Sequence, residues 1–209
     1  FVDLTSNQTI TGIKSFTNGI DISGSTISPG ELLYDINQLG QTISTSNSDV
    51  RVSINQDGTI IALADYKWNS NQGRVQIYQY NSPTPTWSQL RGNLDGASTS
   101  EYHGFSLSLS SDGYTVAIGA YTAGSLNEGL VRVYVFSDSN GNGTSTWNLV
   151  GSDISEGINS DMMGTSVSLS SDGSIVAAGA LNGNGSNSGN VRVYEYVNDG
   201  TSSSWTKLG

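Results

Sequence analysis

Apolar and polar residues alternate in short runs along most of the chain. Within residues 164–196, the alternating run 166–169 leads into the turn residues 171–173 and then into the apolar run 175–181. A loop rich in Asn, Gly and Ser follows, and the pattern ends in the alternating run 191–196. Period-two alternation broken by Asp-Gly and Gly/Asn clusters is typical of short antiparallel β-strands. The Asp-Gly turn itself predicts a type I′ hairpin.

The same unit occurs three times, which predicts a repeat protein. Each unit contains an Asp-Gly turn, then a tyrosine-containing alternating strand, then a strand that carries tryptophan. These markers stand at Asp57-Gly58, Asp112-Gly113 and Asp172-Gly173, at residues 75–80, 131–136 and 191–196, and at Trp87, Trp147 and Trp205. A period of about 55–60 residues with four strands per unit is the organisation of β-propeller blades. We therefore predict an all-β chain built of antiparallel four-stranded β-propeller blades.

The repeats set the predicted domain boundaries. Residues 31–209 form the propeller region, with blades at approximately 41–92, 93–151 and 152–209 and with 31–40 as a stray outer strand. Residues 1–30 contain too few apolar side chains to bury a core, which predicts extended strands that need a neighbour. Propellers have about four to eight blades. The chain is therefore either a portion of a longer protein or a unit that completes a ring with other copies.

The second repeat resembles the FG-GAP repeat of integrin α-chain propellers. Gly104-Phe105 corresponds to the Phe-Gly element in changed order, residues 118–120 match the Gly-Ala element, and residues 129–134 match the Gly-x-Val-x-Val-Tyr strand. Gly164 and residues 178–180 repeat this pattern, whereas the first repeat departs from it at residues 62–65. The resemblance covers residues 31–209 and implies a propeller that binds a ligand or partner and is not a catalyst.

The N-terminal segment has a different resemblance. Residues 4–20 resemble short segments that recur in viral and phage fibre and surface proteins, where such segments link modules or trimerise. This resemblance covers about 25 residues and implies a fibre-like part of a virion or cell-surface appendage.

Charge and composition exclude several classes of partner. The chain has 18 acidic and 8 basic residues, a net charge of −10 and no cysteine. An acidic chain with few basic residues argues against binding nucleic acid or an anionic membrane, and no apolar run reaches the ~20 residues of a membrane span. The lack of cysteine excludes disulfides and thiol catalysis. A polar composition with few lysines favours an extracellular location.

Calcium is the only cofactor for which the sequence offers a candidate site. The FG-GAP family often carries an Asp-x-Asp-x-Asp-Gly loop, but each Asp-Gly turn here has one carboxylate, against the about six to eight oxygen ligands that calcium takes. A closer match to a calcium loop, D-x-N-x-N-G, is formed by Asp138, Asn140 and Asn142, although its twelfth position is Leu149 instead of Glu. We predict no other cofactor.

The loops between blades hold the candidate ligand-binding residues. Residues 96–103 and 156–163 carry side chains that are larger and more apolar than a solvated loop requires, namely Tyr102, His103, Met162 and Met163, together with the acids Glu101 and Asp161. They either line a shallow binding surface or pack against the neighbouring blade. No catalytic residue is predicted, although the loops also contain carboxylates that distant blades can bring together as a pair.

These observations predict a non-enzymatic structural or attachment protein of a virion or cell surface, whose propeller binds a glycan or a surface protein. Two alternatives remain open. One is a pure self-assembly module that contacts only copies of itself. The other is a glycan-active enzyme that uses the propeller as a scaffold.

Overall fold

A computed structural model describes residues 20–22, 25–27, 38–137, 144–183 and 188–209. The chain divides into two units, Phe1–Gln38 and Leu39–Gly209. In the first unit, β1 (Ile20–Ile22) pairs antiparallel with β2 (Ser25–Ile27). The rest of the predicted fibre-like segment and most of the stray strand lie outside the described residues.

The second unit consists of three antiparallel sheets of propeller type, each containing a four-stranded meander. Blade 1 comprises β3 (Val50–Ile54), β4 (Ile60–Asp65), β5 (Arg74–Asn81) and β6 (Thr86–Gln89), and a short strand, β7 (Leu94–Asp95), also pairs with β5. Blade 2 comprises β8 (Ser106–Leu109), β9 (Thr115–Ala120), β10 (Leu130–Ser137) and β11 (Thr146–Leu149). Blade 3 comprises β12 (Met163–Leu169), β13 (Ile175–Ala180), β14 (Asn190–Asn198) and β15 (Ser203–Leu208). The predicted all-β class with four-stranded repeats is confirmed.

The turn between the first two strands of each blade differs from the prediction. A type I′ turn needs positive φ at both central residues, but among the three turns only the glycines have positive φ, from 77° to 78° at Gly58, Gly113 and Gly173. The aspartate explains the difference, because its carboxylate accepts the backbone N–H two residues later, as Asp112 does from Tyr114 at 2.9 Å. This local bond stabilises an Asx turn in place of the I′ geometry.

A tryptophan side chain in each blade forms a hydrogen bond with the chain segment that precedes the blade. The indole Nε1 atoms of Trp87, Trp147 and Trp205 donate to the carbonyls of Leu39, Leu90 and Val150 at 2.8, 3.0 and 2.9 Å. In every case the residue after the acceptor has positive φ, which turns the carbonyl outward: Gly40, Arg91 and Gly151. Residues 39–40 therefore contact blade 1 in the same way as the residues after the outer strands of blades 1 and 2 contact blades 2 and 3.

The hydrophobic core lies between neighbouring blades. We call the contact between blades 1 and 2 the first junction and that between blades 2 and 3 the second junction. Branched aliphatic residues such as Ile77 and Ile118 fill the first junction, and residues such as Val133 and Val176 fill the second, all with no exposed surface. Small residues permit the close approach, since a Cβ on Gly119 would lie 2.1 Å from the carbonyl oxygen of Gly164.

In blades 1 and 2 the loop after the outer strand covers part of the third strand. Val75 and Val131 are fully buried because Leu94 and Ile154 from the following loop pair with their strands. Val191 occupies the same strand position in blade 3 and is 69% exposed.

Candidate functional site

The two loops that carry the predicted site residues stack on loops of the preceding blade through matching backbone hydrogen bonds. Tyr102 N donates to Asn71 O at 2.8 Å in the first junction, and Met162 N donates to Asn127 O at 3.1 Å in the second. Tyr102 and Met162 also share a positive φ, 53° and 55°. The two junctions thus present side chains from equivalent backbone positions.

Both predicted acids are buried components of ion pairs. Glu101 is 2% exposed and binds Arg132, and its other oxygen accepts the N–H groups of Ala97 and Ser98. Asp161 has no exposed surface and makes two hydrogen bonds to Arg192. These carboxylates close their loops and do not reach a surface ligand.

His103 and Met163 occupy equivalent buried positions with no exposed surface. Neither imidazole nitrogen of His103 has a hydrogen-bond partner, and the ring makes an edge contact with Tyr134 at a centroid distance of 6.4 Å. Burial, together with the nearby charge of Arg132, lowers the pKa of His103 to about 3. Of the six predicted residues, only Tyr102 and Met162 are therefore partly exposed.

A cluster that sequence analysis did not predict surrounds Tyr102. We name the residues Arg51, Tyr66, Tyr102, Phe105 and Tyr121 the aromatic–cation cluster. Ring centroids lie 5.3 Å apart for Tyr66 and Phe105, 4.3 Å for Phe105 and Tyr121, and 5.3 Å for Tyr102 and Tyr121. Tyr66 is 7% exposed, whereas the other members are partly exposed. Three aromatic rings thus share a continuous, partly solvated patch.

The guanidinium of Arg51 completes this cluster. Its Cζ lies 4.9 Å from the ring centroid of Tyr66 and 5.4 Å from that of Phe105, within the range of a cation–π contact. Lys67 stands at the edge, with its Nζ 5.7 Å from the ring centroid of Tyr66, and pairs with Asp49. That pairing raises the pKa of Lys67 through a hydrogen bond and Coulombic attraction.

Arg51 and Phe105 also line a cleft of about 420 Å³ beside the inner strands of the three blades. Its remaining lining is aliphatic or hydroxylic and contains no carboxylate: Val52, Ser106, Leu107, Thr165, Ser166 and Val167. A concave site lined by apolar side chains, here including one aromatic ring, together with a few polar groups is the usual form of a small-ligand site.

The second junction has no equivalent cluster. The repeat alignment places Ser106 at the position of Arg51, Thr165 at that of Phe105 and Leu181 at that of Tyr121. These differences between repeats were visible in the sequence. However, their importance depends on which strand faces meet, and the repeat pattern alone does not give that information.

A second cleft, of about 440 Å³, contains the carboxylates Asp153 and Glu156. Asp153 accepts two hydrogen bonds from Arg132, and Glu156 accepts one from the hydroxyl of Tyr194 at 2.6 Å and pairs with Lys207. The bond from Tyr194 lowers the pKa of Glu156. Both acids are therefore already bound to groups of the protein.

The calcium candidate at Asp138, Asn140 and Asn142 lies outside the described residues. Within the described ranges there is no group of three or more His, Cys, Asp or Glu residues placed to hold a metal ion. A separate finding is that no helix in these ranges is long and apolar enough to cross a membrane.

Comparison with known proteins gives similarity of fold alone. No protein-family description matches the chain, and no curated protein sequence matches it. Three similar solved structures are a proposed 6-phosphogluconolactonase from Bacteroides fragilis (17% identity, TM-score 0.46), the periplasmic gluconolactonase of Pseudomonas aeruginosa (17%, 0.47) and Sqt1 from Chaetomium thermophilum (14%, 0.44). The matches cover 76%, 74% and 76% of this chain but only 37%, 41% and 34% of those proteins. The chain thus spans well under half the length of each.

The comparison corrects two predictions. The expectation of a non-enzymatic protein was wrong, because the first two similar structures are those of lactonases, which are enzymes. The resemblance to propeller proteins holds at the level of fold, but neither an integrin-type FG-GAP protein nor a phage fibre is among these three structures.

Proposed function

We propose that this protein belongs to a virion or cell surface, and that it binds a glycan at the aromatic–cation cluster of the first junction. The partly exposed rings of Tyr102, Phe105 and Tyr121 support the proposal, because aromatic faces pack against the apolar C–H faces of sugars. The flanking hydroxyl and guanidinium groups supply hydrogen-bond partners for sugar hydroxyls. The surface location rests on composition: the chain has few lysines and is rich in Ser, Thr, Asn and Gly.

The main support for the proposal is that the cluster occurs at only one of two junctions that have the same backbone arrangement. At the position of Tyr66 the second junction also has a tyrosine, Tyr121. Packing alone does not require the other three rings and the guanidinium, since the second junction has Ser106, Met162, Thr165 and Leu181 at those positions. These other members of the cluster are therefore additional to the scaffold.

A glycan array followed by isothermal titration calorimetry tests the proposal. The informative variants replace residues of the first junction by their counterparts from the second: Tyr102→Met and Phe105→Thr. Loss of one stacking ring removes about 1 kcal/mol, and we expect affinity to fall about fivefold. Met162→Ala is the matched control, because Met162 has the backbone geometry of Tyr102 but lies in the second junction; its affinity stays unchanged. An array without a binding glycan, or swaps that bind like wild type, would overturn the proposal.

Self-assembly is a second candidate function, favoured by the exposure of Val191 at 69% and Val52 at 71% on opposite terminal blades. In this case a second copy of the chain covers the blade face that carries Val191. Light scattering with size-exclusion chromatography measures the mass. Assembly that disappears in Val191→Glu supports this candidate, and a monomeric wild-type protein at high concentration contradicts it.

A further inference from the structure

Arg51 differs from the other cations of the second unit in having no carboxylate partner. Lys67, Arg74, Arg132, Arg192 and Lys207 each form an ion pair. In the described part of the chain, only Arg51 and the exposed Arg91 form none. The hydrogen bond from Lys67 and, to a smaller extent, the charge of Arg51 lower the pKa of Asp49, but Asp49 forms its ion pair with Lys67. For a protein with 18 acidic and 8 basic residues, a partly buried arginine without an ion pair is unexpected.

The surroundings hold the guanidinium of Arg51 in place and leave most of its donors available. Tyr66 and Phe105 contact it through their ring faces. Its one recorded hydrogen bond runs from Nη1 to Val50 O at 3.5 Å, which is long for such a bond. A guanidinium has five N–H donors in a planar fork. The remaining N–H groups have no partner among the residues that the structure describes.

The cleft next to Arg51 suits an anion better than a cation. None of its lining residues is a carboxylate, and Ser106, Thr165 and Ser166 contribute hydroxyl groups. The net charge of −10 repels anions at long range, but this repulsion is screened beyond about 8 Å at physiological salt. Binding of an anion must therefore rest on direct contact with Arg51.

We propose that Arg51 is an anion subsite that binds the carboxylate of an acidic sugar, so that the glycan recognised at the first junction carries a uronic or sialic acid. The planar fork of arginine matches the two oxygens of a carboxylate. The sugar ring then packs on Phe105 beside the guanidinium. This inference rests on the proposed glycan function and specifies the ligand class of the same site.

Two matched ligand pairs test the inference by calorimetry. They are tetragalacturonate with its methyl ester, and sialyllactose with its methyl ester; within each pair the two sugars differ chiefly in the charge of the carboxylate. We expect at least one acidic ligand to bind wild-type protein about tenfold more tightly than its neutral counterpart. In Arg51→Gln this preference disappears, so that the acidic ligand and its neutral counterpart bind the variant with equal affinity. Arg51→Lys retains the charge without the fork and shows an intermediate preference.

Controls separate this inference from the proposed function. Arg91→Gln removes the other unpaired arginine and leaves the acid preference intact. Thermal unfolding of each variant shows that the fold is retained. Equal binding of acidic and neutral sugars by wild type overturns the inference but leaves the glycan function standing. A sulfated oligosaccharide that binds more tightly than both carboxylated ones overturns the assignment of a carboxylate. Binding of no saccharide at all overturns the proposed function itself.

Discussion

The first and second junctions have the same backbone but different side chains at their solvent-facing ends. Gly104 and Gly164 have φ of 91° and 89°, and the loop of each following blade donates equivalent N–H groups to the blade before it. In the first junction this frame carries four aromatic rings and Arg51. In the second it carries one ring, Tyr121 at the position of Tyr66, and aliphatic or hydroxyl groups at the other positions. This difference indicates that the repeat pattern determines the backbone scaffold, while a few positions within each repeat vary without changing it.

The largest expected change in stability comes from breaking the buried ion pairs, and it tests whether these pairs are equivalent in the two junctions. Arg132→Met and Arg192→Met each leave a buried acid, Glu101 or Asp161, without its arginine. We expect each to lower the free energy of unfolding by about 3–5 kcal/mol, because a buried charge loses its partner. Urea denaturation at pH 7 measures this. Lys207→Met removes an exposed pair and changes stability by less than about 1 kcal/mol. A large loss in only one of the two arginine variants would break the equivalence.

The second prediction concerns a buried position at which the first junction has a titratable residue, His103, and the second junction has Met163. Because the folded pKa of His103, about 3, lies below its unfolded value of 6.5, the unfolded state binds the proton first as pH falls. Stability is therefore lost between pH 6.5 and 3. At pH 4.5 the loss amounts to about 2–3 kcal/mol.

His103→Met installs the residue of the second junction and removes that loss. Denaturation of wild type and variant at pH 7.5 and 4.5 measures it as a difference between the two proteins. The reverse substitution, Met163→His, is the control and introduces acid sensitivity into the second junction. An unchanged acid dependence in His103→Met would show that the imidazole is protonated in the folded protein.

A smaller effect concerns the tryptophan bonds, which the two junctions share. Trp147→Phe and Trp205→Phe each remove an indole N–H that donates to a carbonyl of the preceding blade. We expect each to cost about 1–2 kcal/mol, from the lost hydrogen bond and the smaller ring. Thermal or chemical unfolding shows whether the two losses agree, as the repeat requires. A difference greater than the combined error would mean that the blades are not equivalent at their outer edges.

The smallest effect lies in the turn of blade 3. Hydrogen bonds from Ser170 and Ser174 lower the pKa of Asp172 to about 2. The stability contributed by this carboxylate is present above its unfolded pKa and is lost as pH falls through about 2. Carbon-detected NMR titration measures the pKa directly. Ser170→Ala removes the largest contribution and raises the pKa toward 3.8, and a midpoint near 3.8 in wild type would contradict the Asx turn.

The sequence predicted the strands well because period-two alternation and Asp-Gly turns are local features. It was wrong on the turn type, since the bond from the Asp112 carboxylate to Tyr114 N competes with the I′ geometry. It left open whether His103 and Met163 line a binding surface or pack against the neighbouring blade, because a loop sequence does not reveal what the loop stacks on. Arg51 was not recognised because the side to which it points depends on the neighbouring blade.

The central claim is that ligand binds at the first junction and not at the second. The most direct test labels the tyrosines with 3-fluorotyrosine and follows the 19F spectrum during titration with sialyllactose and with tetragalacturonate, with signals assigned by single Tyr→Phe variants. The signals of Tyr102 and Tyr121 should shift in a saturable manner with at least one ligand, while those of Tyr194 and Tyr196 in blade 3 stay fixed. Shifts at Tyr194 or Tyr196 with unchanged Tyr102 and Tyr121 would contradict the claim.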